Sequence, residues 1–279
     1  MAALPAGRKE ATMSEKNILE LQNISKTFNR GSVNEKIALR EFSLTVKEGD
    51  FITVIGGNGA GKSTLMNVIC GTYPVDEGKI ILGGHDVTRL PEYKRAKYLG
   101  RVFQDPMMGT SPNMEIQENL ALAYRRGKVR SLMPGIRKSE KEFYRAQLAR
   151  LGLGLEERMT AKVGLLSGGQ RQSLTLLMAT LKKPDLLLLD EHTAALDPKT
   201  ASKVLDFTEE IARENGLTTV MITHNMMDAI RCGNRLIMMQ EGRIIYDVSG
   251  EEKRSLRVED LLERFRATAG ELSDRMILG

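Results

Sequence analysis

Tryptophan is absent from this 279-residue chain, and all aromatic residues together reach only 5%. So sparse a supply argues against a sugar-binding or aromatic-rich recognition surface. Cysteine is scarce too: Cys70 and Cys232 stand alone, which excludes a disulfide scaffold and a cysteine metal cluster and suits a reducing cytoplasm. No apolar run approaches the roughly 18–20 residues of a membrane-spanning helix, so any work at a membrane needs other chains to do the spanning. The opening MAALPAGRKEATMSEKN has neither the apolar core nor the small-residue cleavage site of a signal peptide. Residues 1–17 read as a disordered leader, with Met13 a second candidate start. Internal repeats and long heptad arrays are also lacking.

What is present is the balance of a globular protein, 41% hydrophobic and 28% charged residues, in a length that allows one large α/β domain or two small ones. The net charge of +5 suits an acidic partner such as nucleic acid, an anionic membrane surface or nucleotide phosphates, without choosing among them. Residues 18–28 and 37–46 alternate apolar and polar positions, as half-buried strands do. Phe51 to Ile55 is a continuous β-branched run, the mark of a strand buried on both faces. Short strands are expected at 79–82 and 98–104, whereas 113–164 lacks strand patterning and reads as helical. Further on come a helix after Gln170, a strand over 185–190, a helix over 198–214 and a buried strand over 218–223. A hairpin turns at Gln240-Glu241-Gly242. The charged tail from Glu251 is helical, with Val258, Leu261, Leu262 and Phe265 on one face. Strands alternating with helices predict an α/β fold with a mainly parallel sheet and right-handed crossovers. The early strands add an antiparallel β flank. A helical subdomain is inserted at about 113–166 of a single domain spanning 18–250, and 251–279 forms a helical tail.

Two constellations carry chemistry. Gly56-Gly57-Asn58-Gly59-Ala60-Gly61-Lys62-Ser63 fits GxxxxGK[ST], followed by Thr64. Successive backbone N–H groups must turn inward around phosphate oxygens, which needs glycines that tolerate positive φ. A helix starting near Lys62 adds its positive dipole end. Lys62 supplies a point charge to the β- and γ-phosphates, and Ser63 a hydroxyl to Mg²⁺. An ordinary glycine turn is the bland alternative, but a buried strand before the motif and a helix after it favour phosphate. The second constellation is the four leucines 186–189 ending in Asp190-Glu191. A buried strand delivers its terminal carboxylates to the sheet edge where ligands bind in open α/β folds. There Asp190 is placed to hold Mg²⁺, directly or through water, and Glu191 to polarise a water; a buried strand capped by solvated acids is the bland alternative, which the neighbouring phosphate loop disfavours.

Leu166-Ser167-Gly168-Gly169-Gln170, lying between these two, resembles the signature motif of the ATP-binding-cassette (ABC) ATPases. Val102-Phe103-Gln104-Asp105-Pro106 is similar to their Q-loop, Ala195-Leu196-Asp197 to their D-loop, and His224 to their switch histidine. Phe28 stands where the family carries an aromatic that stacks on adenine. The resemblance covers about residues 18–250. It implies a phosphate-loop NTPase fold and ATP hydrolysis with Mg²⁺ in a head-to-tail dimer. Each ATP then lies between the phosphate loop of one copy (Gly56, Asn58, Gly59, Ala60, Gly61, Lys62, Ser63, Thr64) and Ser167, Gly168, Gly169 and Gln170 of the other, with Asp197 nearby. It makes Glu191, His224 and Gln104 the catalytic set, and Ser63, Gln104 and Asp190 the metal set. His192 and Ala194 depart from the family's usual Pro and Ser; His192 either tunes Glu191 or faces the partner copy.

The resemblance further implies a second cassette, identical or a close paralogue, and transmembrane permease subunits. An extracytoplasmic solute-binding protein and a place on the cytoplasmic face of the cell membrane go with them. No nucleic acid is expected as a partner, because only 105 residues separate Lys62 from Ser167, too few for the coiled-coil arms of chromosome-structure relatives. A soluble ABC ATPase without a membrane partner, of the iron–sulfur assembly type, remains the alternative. Ala161-Lys162-Val163-Gly164 lacks the acidic motif many exporters carry ahead of the signature, and the pattern is similar to bacterial importer subunits of amino-acid-type uptake systems. Between Tyr124 and Arg150 nine Lys/Arg stand against two Asp/Glu, either a solvated helical face or a surface for anionic headgroups or a permease loop.

Overall fold

The computed structural model describes residues 16–128 and 135–269; most of the expected leader, the stretch 129–134 and the last ten residues lie outside it. The elements run β1 (Asn17–Phe28), β2 (Lys36–Lys47), β3 (Phe51–Gly56), α1 (Lys62–Cys70), β4 (Glu77–Leu82), β5 (His85–Asp86), α2 (Glu92–Arg95) and β6 (Leu99–Val102). Next come α3 (Ile116–Tyr124), α4 (Lys138–Ala149), α5 (Gly168–Thr180), β7 (Leu186–Asp190), α6 (Pro198–Asn215), β8 (Thr219–Ile222) and α7 (Met226–Arg231). The chain closes with β9 (Arg235–Gln240), β10 (Arg243–Ser249), α8 (Gly250–Ser255) and α9 (Val258–Ala269).

Two sheets form. One is antiparallel, in the order β2-β1-β4-β5; the other has six strands, β10-β9-β3-β8-β7-β6, parallel throughout except for the β9–β10 hairpin. That hairpin turns on Glu241 and Gly242, both at positive φ, the geometry that matches the twist of the flanking strands. The parallel strands are apolar on both faces because both are covered. In β7, Leu186 and Leu188 join a core shared with α1 and the antiparallel sheet, while Leu187 and Leu189 pack with α5 and α6 residues such as Leu176 and Leu205. α6 is delimited by its sequence: Asp197 caps its start, Pro198 occupies the first turn, and Gly216 ends it in the left-handed conformation. Its buried positions, Val204, Leu205, Thr208, Ile211 and Ala212, form one stripe.

The described residues of 113–165 carry α3, α4 and two short 3₁₀ turns, with an isolated bridge between Glu115 and Lys162. Ile116, Leu120, Tyr144, Leu148, Leu155 and Val163 form a separate core. That core continues into Leu174 and Leu177 of α5, so the helical layer extends past residue 166. Part of the basic stretch is paired within the chain, while Lys128, Arg137, Lys138, Lys141 and Arg145 are exposed. Arg125 forms a two-pronged ion pair with Glu140 (2.9 and 3.1 Å), Arg126 donates to the carbonyls of Ala179 and Lys182, and Arg150 pairs with Glu214. Asn17 opens β1 opposite Lys47, so the first strand takes in the last residue of the expected leader. The described part of the tail is two helices. Leu261 and Phe265 of α9 bury against Ile55, Met226, Ala229, Leu236 and Met238, and buried Lys253 of α8 donates to the carbonyls of Cys232 and Gly233. Through α8 and α9 the described part of the tail packs onto the core.

Candidate active site

β3 ends at Gly56 and α1 begins at Lys62, so the five-residue turn between them lies at the carboxyl edge of the parallel sheet. A Cβ on Gly56 would lie 2.4 Å from the Met239 carbonyl oxygen, and one on Gly61 2.5 Å from that of Ala38; Gly59 and Gly61 hold φ of 81° and 101°. Packing and backbone both demand glycine there. By contrast a Cβ on Gly57 would meet nothing within 4 Å, so this part of the loop opens onto free space. Lys62 is buried, and its Nζ donates back to the carbonyls of Gly56 (2.6 Å) and Gly57 (3.2 Å). Burial lowers its pKa, while the nearby Glu191 and Asp190 carboxylates push the other way. Asn58, Gly59 and Ser63 are exposed, Thr64 half-buried and Ala60 buried.

Two neighbouring strands bring acids and an imidazole to the same edge. Asp190 ends β7, and burial raises its carboxyl above the usual range, opposed chiefly by Arg101, whose Nη2 lies 3.6 Å from Asp190 Oδ2. Glu191 follows in the left-handed region at φ 46°, a conformation uncommon outside glycine and asparagine and concentrated at functional sites. Its N–H donates to the Ile222 carbonyl of β8 (3.1 Å). Its Oε1 lies 2.5 Å from Nε2 of His224, two residues past the end of β8. An ammonium at a glycine turn, two carboxylates and an imidazole therefore share one sheet edge.

A family model described as ABC transporter matches residues 39–194, more than half the chain. The tyrosine transport ATP-binding protein of Clostridioides difficile is 44% identical over 248 residues, 89% of this chain and 98% of that protein. The chain belongs to the ABC transporter family. A spermidine/putrescine import ATP-binding protein, PotA of Aggregatibacter actinomycetemcomitans, is 34% identical over 87% of this chain, which spans only 61% of that relative's length. Among solved structures, the dimeric post-hydrolysis cassette MJ0796 bound to ADP and Pi superposes with a TM-score of 0.71 at 28% identity, covering 83% of this chain and 98% of that one. This ABC chain is thus an ATP-binding, ATP-hydrolysing cassette that energises transport.

The remaining motif residues of the cassette fall into two groups. Gln104 is exposed, just past β6, whose Val102 pairs with Leu189 of β7, so it flanks the Asp190 edge. Phe28 ends β1 with its ring 5.2 Å from that of Tyr73, edge to face. Tyr73, 36% exposed, carries no sequence signal that singles it out. The signature segment belongs elsewhere. Ser167 Oγ accepts from the Gln170 N–H and Gln170 Oε1 from the Ser167 N–H, a capping box opening α5. A Cβ on Gly169 would lie 2.3 Å from Thr200 Cγ2, and one on Gly168 3.5 Å from Leu196. Asp197 accepts from the Thr200 N–H at the start of α6. Ser167, Gly168, Gly169, Gln170 and Asp197 thus share the α5–α6 corner, where Ser167, Gly168 and Asp197 are exposed.

His192 corrects an expectation. It is 2% exposed, too buried to face a partner copy, and its ring turns to α6, where its Nε2 lies 3.1 Å from Thr208 Oγ1. That hydroxyl donates to the Val204 carbonyl (2.7 Å), so its lone pair receives the proton on Nε2. Burial lowers the His192 pKa to about 4, and the ring is neutral at pH 7. Sequence reasoning also missed Arg101, a lone basic residue in an apolar strand, which was the one available sign.

Proposed function

We propose that this chain is the cytoplasmic-face ATPase subunit of a bacterial importer for an amino-acid-type solute, working as a head-to-tail pair of cassettes beneath transmembrane permease subunits. A secreted or surface solute-binding protein would deliver the cargo. The observation that carries this reading is the 44% identity to the tyrosine transport subunit along 98% of that protein, joined to the convergence of Lys62, Asp190, Glu191 and His224 at one sheet edge.

In this reading Gly56, Asn58, Gly59, Ala60 and Gly61 direct N–H groups at the phosphates, and Ser63 and Thr64 extend the cradle at the start of α1. Lys62, already desolvated, turns its charge from loop carbonyls toward the β- and γ-phosphates. The Phe28 ring stacks on the base. Glu191 orients and polarises the attacking water, and His224, hydrogen-bonded to it, contacts the γ-phosphate. Ser167 and Gly169 of the second copy close over that phosphate, the N-terminus of α5 adding its dipole, with Gly168, Gln170 and Asp197 lining the same corner. The hydroxyl of Ser63, the carboxylate of Asp190 and the amide oxygen of Gln104 are hard oxygen donors of the kind Mg²⁺ takes together with phosphate oxygens and water. They fit that ion, which when bound neutralises charge on the phosphates. Among the described residues no helix is long and apolar enough to cross a membrane, which supports a peripheral position. Co-purification of this chain with a multispanning permease, and ATP turnover by that complex in lipid vesicles rising when an aromatic amino acid and its binding protein are added, is the expected result. Recovery with soluble scaffold proteins alone would refute it.

A further inference from the structure

Arg101 has no part in the scheme above, yet it touches both sides of it. Its side chain leaves β6 into the gap between α1 and the end of β7. There Nη2 donates to Asn67 Oδ1 of α1 (2.9 Å) and lies 3.6 Å from Asp190 Oδ2, while its Cζ sits 4.5 Å from the centroid of the Phe103 ring. Phe103 is the residue before Gln104, and its carbonyl accepts from Gln172 of α5 (3.4 Å). The arginine is 14% exposed, and its Nε is buried without a hydrogen-bond partner. A guanidinium with an unsatisfied buried N–H and a long, single contact to its carboxylate is not optimised as a static ion pair.

We propose that Arg101 is a positioning residue that stands in for the metal at Asp190 and passes the metal's arrival to the Gln104 segment. This rests on the reading of Asp190 and Gln104 given above. A guanidinium beside Asp190 neutralises it when no divalent ion is there. A divalent ion taking the same carboxylate repels the guanidinium, since like charges a few ångströms apart in a partly buried site interact strongly. Arg101 therefore weakens the hold on the metal and yields its place when the metal binds. Its plane is also the face against which Phe103 stacks. Displacing the plane releases Phe103 and, through the backbone, Gln104. The arrangement needs an arginine: lysine keeps the charge but offers no plane.

The test uses the full chain, whose lack of tryptophan lets Met108→Trp, at a 69% exposed position beyond Gln104, report on this segment. With ADP present, Mg²⁺ is titrated; calorimetry gives the binding midpoint, and the indole emission, followed separately, gives the response of the segment. Arg101→Met is expected to tighten the Mg²⁺ midpoint by about five-fold and to abolish the Mg²⁺-dependent emission change. Arg101→Lys is expected to keep the parent midpoint and still lose the emission change, a split that a merely structural arginine would not produce. Thermal unfolding of each variant identifies folded samples, and Arg101→Lys serves if Arg101→Met does not fold. An unchanged midpoint and an unchanged emission response in the folded variants overturn the proposal. Loss of both responses equally in Arg101→Lys and Arg101→Met also overturns it. Lys62→Ala and Asp190→Asn, titrated alongside, separate the two levels. If they bind Mg-ADP like the parent, the phosphate-site reading falls; if they lose it while the Arg101 variants behave like the parent, only this inference falls.

Discussion

Glu191 occupies a left-handed backbone position that a side-chain-bearing residue adopts at a cost, and its carboxylate is held 2.5 Å from His224. If it polarises the attacking water, Glu191→Gln keeps the shape and removes the basic oxygen. ATP binding is then expected to persist while steady-state turnover falls by roughly 10²–10⁴-fold, the usual contribution of a general base; parent-like phosphate release would remove Glu191 from the role. His192 makes a different point at the same scale. Its pKa of about 4 lies below the unfolded value near 6.5, so the folded chain refuses a proton that the unfolded chain accepts. Stability attached to this group is complete above about pH 6.5 and is lost as pH falls toward 4, by about 2 kcal/mol at pH 5. Urea unfolding at pH 7 and pH 5 should show His192→Gln losing less stability than the parent over that interval, and equal losses would contradict the assignment.

Helices and strands are joined here by contacts that leave no room for alternatives. α5 and α6 approach so closely at Gly169 that an added methyl would meet Thr200 Cγ2 at 2.3 Å. Gly169→Ala is expected to lower stability by about 1–3 kcal/mol through overpacking. The pair Gly169→Ala with Thr200→Ser, which removes that methyl, should recover most of the loss in thermal melts. At the far end of α1, fully buried Arg95 donates to the carbonyls of Val68 (2.8 Å), Ile69 (3.0 Å), Thr88 (3.1 Å) and Leu90 (2.8 Å). It satisfies carbonyls of the last turn of α1 and ties that turn to the loop before α2. Arg95→Met leaves buried carbonyls unpaired and should cost about 3 kcal/mol or more, seen as a lower urea midpoint with unchanged slope. Neither contact could be read in advance: a glycine after a serine cap looks like any helix start, and arginine is rarely this buried.

As a whole molecule the chain presents its phosphate loop and its signature corner on separate elements, the first between β3 and α1 and the second at the start of α5. A second copy that closes this gap should do so only with ATP bound. Glu191→Gln with ATP is expected to elute at about twice the 31.0 kDa chain mass, and the same protein with Lys62→Ala added to remain single; pairing without nucleotide would break the link between the two sites. Much of this was legible in advance. Local pattern was enough for the buried strands β3 and β7, the glycine turn with Lys62, the carboxylates at the end of β7, the turn at Glu241-Gly242 and the span of α6, because each depends on residues adjacent in the chain. The tertiary structure alone decided that β8 lies between β7 and β3, which brings His224 to Glu191. It also turned His192 inward to Thr208, packed α8 and α9 onto the core, and set Arg101 between Asp190 and Phe103. Those outcomes depend on which distant segments become neighbours and what burial then does to a charge, and short-range spacing holds no record of either.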